Sequence, residues 1–428
     1  MIAKDHLPFI SVIIPTHNRR ASLERTLRAL GRQSYPFDLM EVVVVADGCQ
    51  DDTSEMLRAY AGPFRLCILT QPQQGAATAR NYGAATAGGS IFIFIDDDVE
   101  PVPRFVEAHV SAHRTGKGLV GMGNLPVELA CRTDFFSLLL RSWWANQFQE
   151  MRKPSHRFLY RNLFSGNFSL EADLFRKVGG FDPSIPRRED YELGMRLMKA
   201  DAKFMFLPNA VGYHHEVADA KGNLTRAYQE GRGDILLGFR HPELRPTFNL
   251  SRFQEVSNFR SRIAQVLAFK YNALGDAIAS LLCRLLVVLE RLRLRSLWQR
   301  IFQGLRTYWY LRGVKDELRT RMGLIKYLQE GPAHSQPDDV EIDLDLSQGL
   351  ELAEHRLDEE RPAGARISYE HNVIGHLPPQ VGAERLKGAH LRAVLATDLA
   401  WPFLRTLIMK QAVEPLGPKF NIPTIFRR

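Results

Sequence analysis

The run Ser90-Ile-Phe-Ile-Phe-Ile95 is apolar on both alternating faces and leads directly into Asp96-Asp97-Asp98. A strand without a polar face has to be covered on both sides, as happens inside a parallel sheet with helices above and below it. Its last side chains then project at the carboxyl edge of the sheet, where such sheets bind ligands. Adjacent carboxylates repel one another and need a compensating charge, which a divalent metal carrying a diphosphate would supply. An acidic turn is also ordinary loop chemistry, so the triplet specifies a site only with partners elsewhere in the chain.

Those partners lie in a repeating pattern. Phe9-Ile-Ser-Val-Ile-Ile-Pro15 reads as a strand, followed by Leu23, Leu27 and Leu30 at helical spacing behind Asn18 as N-cap. Glu41-Val-Val-Val-Val-Ala46 reads as a second strand ending in Asp47-Gly48, with Asp51-Asp52-Thr53 placed to cap a following helix. Arg65-Leu-Cys-Ile-Leu69 is a third, and the small residues from Gly75 to Ala85 suit a helix packed closely on a sheet. Alternating strands and helices imply a doubly wound, mostly parallel α/β sheet. Its carboxyl edge would gather Pro15-Thr16-His17-Asn18-Arg19, Asp47 and the triplet. No GxGxxG or GxxxxGK[ST] loop is present, which argues against a dinucleotide enzyme or a P-loop NTPase, so a diphosphate bound here would need metal.

With 428 residues, 45% of them hydrophobic and 24% charged, the chain has room for two or three domains. The four cysteines form no CxxC pair, which fits a reducing compartment with neither zinc site nor disulfide framework, and the cytoplasm is the expected location. Met1-Ile-Ala-Lys-Asp5 runs straight into a strand pattern, so no signal peptide is expected, and the apolar runs read as too short to cross a bilayer. A net charge of +8 favours acidic partners. Nucleic acid is not expected among them, because no binding module accompanies the charge.

Over residues 8 to 216 the sequence resembles the family 2 glycosyltransferases, which have the GT-A fold. The resemblance rests on Ser11-Val-Ile-Ile-Pro-Thr-His-Asn-Arg19, Val44-Val-Ala-Asp-Gly48, Gly75 with Ala79-Arg80-Asn81, and Asp96-Asp97-Asp98 with Pro103. It continues through Ser165-Gly-Asn-Phe-Ser169, Val178-Gly-Gly-Phe-Asp182, Glu189-Asp190, and Pro208 with His214. Each motif is weak alone; their order and spacing make the match specific.

This resemblance implies an inverting transfer of a sugar from a nucleoside-diphosphate sugar, with uridine as the expected base, to a hydroxyl of a glycan or lipid-linked acceptor. Asp47 would pair with the base, with Pro15, Thr16 and Arg19 in the same pocket, and Arg80 would approach the nucleotide or its phosphates. Asp96 would contact ribose or nucleotide, and Asp98 with His214 would hold Mn2+ or Mg2+; Asp97 is interchangeable with either neighbour. Asp190 would be the general base, Glu189 would orient the acceptor, and Asn167 would line the acceptor pocket. Both acids also suit an ordinary helix start. Arg226 and Arg232, in the Gly-flanked segment 229–233, suit either a loop closing over the diphosphate or a solvated one. A processive polysaccharide synthase is disfavoured because the sequence has no QxxRW motif. The alternatives are a sugar nucleotidyltransferase and a non-catalytic nucleotide-sugar-binding module.

The expected organisation is a catalytic domain over 1–245, a basic amphipathic helical segment over 250–330, and a linker with a C-terminal region of unassigned role over 331–428. In the helical segment Leu274, Ile278, Leu281, Leu285, Val288 and Leu292 form a stripe, with Arg284, Arg291, Arg293, Arg295 and Arg300 beside it. Such a segment suits either a helical hairpin packed on the catalytic domain or an anionic membrane surface.

Overall fold

The computed structural model describes residues 7–128, 134–185, 187–215, 219–251, 259–330 and 340–413. The chain forms two compact units, one of residues 1–148 with 160–332 and one of 149–159 with 333–428.

The first unit is built on an eight-stranded sheet. Its strands are β1 (Ile10–Thr16), β2 (Met40–Asp47), β3 (Arg65–Gln71), β4 (Ile91–Ile95), β5 (Val99–Pro101), β6 (Leu119–Asn124), β7 (Asn167–Glu171) and β8 (Lys203–His214). They lie in the order β3-β2-β1-β4-β7-β6-β8-β5. The β1/β2, β2/β3, β1/β4 and β6/β8 pairs are parallel, while β7 and β5 run antiparallel to their neighbours. Strands β1, β2 and β4 are buried along their whole length. The continuous apolar run before the triplet is therefore a central strand, with Phe94 stacked on Phe168 of β7 at 4.9 Å. The mostly parallel GT-A-type sheet is present as the sequence implies.

Helices α1 (Arg20–Leu30), α2 (Thr53–Ala59), α3 (Ala76–Thr86), α4 (Phe105–His113), α5 (Phe135–Met151), α6 (Ala172–Lys177), α7 (Glu189–Lys199) and α8 (Ala220–Arg240) connect and flank these strands. Helix α1 buries Leu23, Leu27 and Leu30, as their spacing requires. Asn18 does not cap it. Its backbone is left-handed, and its side-chain oxygen accepts from the Gln50 and Asp51 N–H groups, 2.7 and 3.3 Å away, tying the ends of β1 and β2 together.

The downstream helices α9 (Phe259–Phe269), α10 (Asn272–Arg291), α11 (Arg295–Leu318) and α12 (Arg321–Gln329) fall in this same unit. Helix α11 lies along α8, and two glycines permit the approach. A side chain at Gly231 would strike the Tyr310 carbonyl, and one at Gly313 would strike the Tyr228 carbonyl. This corrects the reading of residues 229–233 as a closing or solvated loop: Gly231 and Gly233 lie inside a 21-residue helix, and Arg232 pairs with Glu317 of α11 at 2.6 Å. The expectation that no segment is long and apolar enough to cross a bilayer is also corrected, because α10 is.

The second unit has a three-stranded sheet in the order β11-β10-β9, from β9 (Glu341–Asp345), β10 (Gly364–Tyr369) and β11 (Asn372–Leu377). Helices α13 (Leu350–Glu360), α14 (Gly388–Ala396) and α15 (Ala400–Val413) accompany it, around Leu344, Leu357, Ile367 and Leu391. Arg157, from the 149–159 segment, donates to the carbonyls of Ala363 and Glu384, both at 2.9 Å.

Candidate active site

The ends of β1 and β4 come together as their parallel register dictates. Thr16 Oγ1 donates to Asp97 Oδ2 at 2.7 Å, and Thr26 Oγ1 from α1 donates to the Asp97 carbonyl at 3.0 Å. Arg19 Nη1 bridges Asp97 Oδ1 at 3.2 Å and Asp98 Oδ2 at 2.5 Å, and Arg80 Nη2 donates to Asp96 Oδ1 at 2.7 Å. The charge compensation that three adjacent carboxylates demand is thus supplied within the chain by two arginines. Burial raises Asp97 to about 7 despite Arg19 and Thr16. Burial also acts upward on Asp98, but the His214 ring and Arg19 outweigh it and hold that carboxyl below its usual range.

His214 ends β8, where it pairs with Val99 across β5. Its Nε2 lies 3.2 Å from Asp98 Oδ1. A carboxylate oxygen and an imidazole nitrogen that converge are a donor set that suits a divalent cation. His215 points elsewhere, with Nε2 3.0 Å from Glu100 Oε2. Among the described residues no group of three or more His, Cys, Asp or Glu side chains could hold a metal. Asp98 and His214 would supply two donors, which suits a hard divalent ion that takes its remaining oxygens from a diphosphate and water.

Asp47, at the end of β2, is buried and already engaged. It accepts from Gln71 Nε2 at 2.8 Å, Gln74 N at 2.7 Å and Gly75 N at 2.8 Å. Gly75 has φ +91°, a left-handed conformation that disfavours side chains, so Asp47 fixes the turn from which α3 starts. Helix α3 in turn carries Arg80. Pro15 is buried within β1.

Arg80 is 3% exposed and does not project into open space as an arginine seeking phosphates would. Its guanidinium lies between Asp96 and Glu189, with Nη1 3.3 Å from Glu189 Oε1, and over the Phe181 ring at 5.3 Å. One side chain therefore brings the β4 triplet and the start of α7 to the same place. Asp190 follows Glu189 there and retains some solvent access. Burial first, then the adjacent Glu189 carboxylate, raise it to about 7 against Arg188 and Arg80.

Behind Asp190 is a network with no local sequence signature. Arg188, immediately before α7, has φ +78°, a strained conformation for a side-chain-bearing residue. Its Nε donates to buried Asp234 of α8 at 2.9 Å and its guanidinium covers the Tyr191 ring at 4.6 Å. Tyr310 of α11 donates its hydroxyl to the other Asp234 oxygen at 2.7 Å. Arg188, Asp234 and Tyr310 are far apart in sequence, and Gly231, which lets α8 approach α11, reads as a loop residue.

Asn167 departs from expectation. It is 1% exposed, and its side chain bonds His109 Nε2 at 2.9 Å and the carbonyls of Ala210 and Asn124 at 3.0 and 3.3 Å. It ties β6, β7, β8 and α4 together inside the core. His109 beside it is held neutral, lowered by burial to about 3. In the aromatic stretch of α5, Trp144 packs on Phe164 and Phe148, and its ring is 6.2 Å from that of His214.

The sequence profile of Glycosyl transferase family 2 matches residues 11–179. Glycosyltransferase AglE of Haloferax volcanii is 41% identical over 239 residues, covering 54% of this chain and 74% of its own length. Validoxylamine A glucosyltransferase of Streptomyces hygroscopicus subsp. jinggangensis is 34% identical over an alignment of 221 residues that covers 46% of this chain and only 52% of that relative. Among solved structures, the mannosyltransferase PcManGT of Pyrobaculum calidifontis in complex with GDP-Man and Mn2+ aligns with TM-score 0.45 and 18% identity over 74% of this chain and 89% of its own. On the strength of the profile and of a relative matched over most of its length, the chain belongs to glycosyl transferase family 2.

Proposed function

We propose that this chain transfers a sugar, with inversion, from a nucleoside-diphosphate sugar to a hydroxyl of a glycan or lipid-linked acceptor. The proposed donor base is uridine and the proposed metal Mn2+ or Mg2+, and the proposed setting is the cytoplasm, whose reducing character suits the free thiols of Cys49, Cys67 and Cys283. The observation that carries the reading is Arg80, whose guanidinium spans Asp96 and Glu189 and so holds a donor-side and an acceptor-side carboxylate within one side chain's reach.

Asp47 has about four acceptor positions and uses three on its own chain, which leaves one for an N–H of the base. Pro15 and Thr16 form the wall beside it, and Asp96 takes a ribose hydroxyl. Asp98 and His214 would hold the metal, which when bound neutralises charge on the departing diphosphate. Arg19, half exposed and bound to Asp97 and Asp98, turns to the diphosphate when donor is present. Asp190 removes the acceptor hydroxyl proton as that oxygen forms its bond to the anomeric carbon. The bond to the diphosphate oxygen breaks on the opposite face, its electron pair leaves with the nucleoside diphosphate, and the configuration inverts. Glu189, fixed by Arg80, orients the acceptor.

The test is a panel of nucleotide sugars, with and without Mn2+, scored first by thermal shift and then by product release. Nucleoside diphosphate in step with an inverted glycoside is expected. Pyrophosphate would instead mark a sugar nucleotidyltransferase, and ligand binding without release of either would mark a binding module.

A further inference from the structure

Helix α10 presents its apolar stripe outward. Leu274, Ile278, Leu281, Leu285, Val288 and Leu292 recur at helical spacing and are 36–67% exposed, while Gly275, Ala279, Leu286 and Leu289 face the unit. A contiguous exposed stripe of this length is unusual on a soluble surface and marks a contact. The charges on the helix are sorted as well. Arg284 and Arg291 flank the stripe on the outward arc. Asp276 is held by the Tyr308 hydroxyl at 2.6 Å and by Arg312 at 3.2 Å, and Glu290 accepts the Phe135 N–H at 2.7 Å. The helix then turns through Arg291-Leu-Arg-Leu-Arg295, all exposed, with Arg293 in a left-handed conformation. Arg284, Arg291, Arg293 and Arg295 take part in no ion pair among the described residues.

From this arrangement we infer that the outward arc of α10, with the Arg291–Arg295 corner, is a docking surface for an anionic lipid bilayer, in which the helix lies along the interface. Charge complementarity selects the occupant: the Arg291–Arg295 corner beside the stripe carries three exposed arginines that take part in no ion pair among the described residues, which suits phosphate headgroups around a shallowly inserted apolar stripe. A second copy of this chain would bring arginine against arginine unless its contact were offset. Spanning is disfavoured although twenty residues would reach across, because Asp276 and Glu290 are bound to the globular unit and would have to be stripped from it. The inference goes beyond the transferase reading, and its readout is binding alone, so failure of one leaves the other standing.

Full-length protein is sedimented with phosphatidylcholine vesicles and with phosphatidylcholine–phosphatidylglycerol vesicles at low and high salt. Binding to the anionic vesicles only, reversed by salt, is expected. Replacing Arg291, Arg293 and Arg295 by Gln should weaken partitioning by about a hundredfold, or about fivefold per arginine. Leu281→Glu and Leu285→Glu, at exposed positions that need no repacking, should abolish binding and leave Tm unchanged. Equal recovery with both lipids, or none with either, overturns the inference. So does a dimer that Leu281→Glu converts to monomer without vesicle binding, or membrane association that survives salt and alkaline extraction.

Discussion

At the end of β4, Asp98 has a guanidinium and an imidazole directly against it; at the start of α7, Asp190 has a second carboxylate beside it and its cations placed behind. The first surrounding favours the ionised form and pulls the carboxyl down, and the second disfavours it and pushes the carboxyl up to about 7. Two aspartates at neighbouring element ends thus sit in surroundings of opposite effect. A carboxylate that stays ionised suits a cation, and one that exchanges its proton near neutrality suits a base. Arg80 joins the two regions without equalising them, because it contacts their neighbours, Asp96 and Glu189, rather than Asp98 or Asp190.

The comparison is broken most directly by exchanging the two losses. Asp98→Ala should abolish transfer and weaken nucleoside diphosphate far more than nucleoside, measured by calorimetry with and without Mn2+. Asp190→Asn should lower kcat by about 10²–10⁴-fold and leave donor affinity unchanged. If Asp190→Asn weakens donor instead, or wild type keeps full activity in excess EDTA, the division of labour fails.

The pH dependence sharpens it further. Because Asp190 must be ionised to accept a proton, kcat at saturating substrates should rise about tenfold per unit below about 7 and level off above. Glu189, Arg188 and Arg80 are the charged groups that tune this limb. Asp97 is also raised to about 7, so Asp97→Asn separates the two. A limb that persists in that variant belongs to the α7 side, and one that vanishes belongs to the triplet.

A several-fold effect is expected from behind the base. Tyr310→Phe removes a hydroxyl that donates to Asp234 and leaves the Arg188–Asp234 pair in place. It should lower kcat and shift the acidic limb without changing donor KM, since the network touches α7 and not the donor residues. Unchanged kcat and pH profile would make the network purely structural. Asp234→Ala is the harsher change, because it removes the closer of the two carboxylates that face the Arg188 guanidinium and leaves only Glu230 at 3.6 Å, and it is read by Tm rather than by rate.

These regions differ also in how they could be read. The triplet was visible because a strand apolar on both faces has to be central, and central parallel strands end at a binding edge. Glu189 and Asp190 were visible only through family spacing, since two acids opening a helix are common. The support behind them was not visible at all: Gly231 and Gly233 match a flexible loop as well as a helix contact until the opposing Tyr310 and Arg187 carbonyls are seen. Asn167 misled for a related reason. Spacing placed it near the site in sequence, while its hydrogen bonds turned it into the core. The Leu274–Leu292 periodicity gave a helix face, but no periodicity states which face a protein leaves bare.

The smallest expected effect turns the same contrast into stability. The folded-state value of Asp190 is raised above its ordinary 3.8, so its contribution to folding is fully present below that ordinary value and is lost as pH rises through about 7. Above pH 7 the folded chain holds a carboxylate crowded by Glu189, and Asp190→Asn relieves that crowding while it removes the base. The variant should therefore melt higher than wild type at pH 8, by a margin that shrinks as pH falls toward 4, by differential scanning fluorimetry without ligand. Asp98→Ala should do the reverse, melting lower than wild type at pH 8, because its carboxylate is the ionised partner of Arg19 and His214. Opposite signs at one pH, from the same residue type in one cleft, would show that the fold gives up stability at Asp190 to keep a base near neutrality. A matching sign would place both carboxylates in equivalent surroundings and remove the physical ground for giving them different tasks.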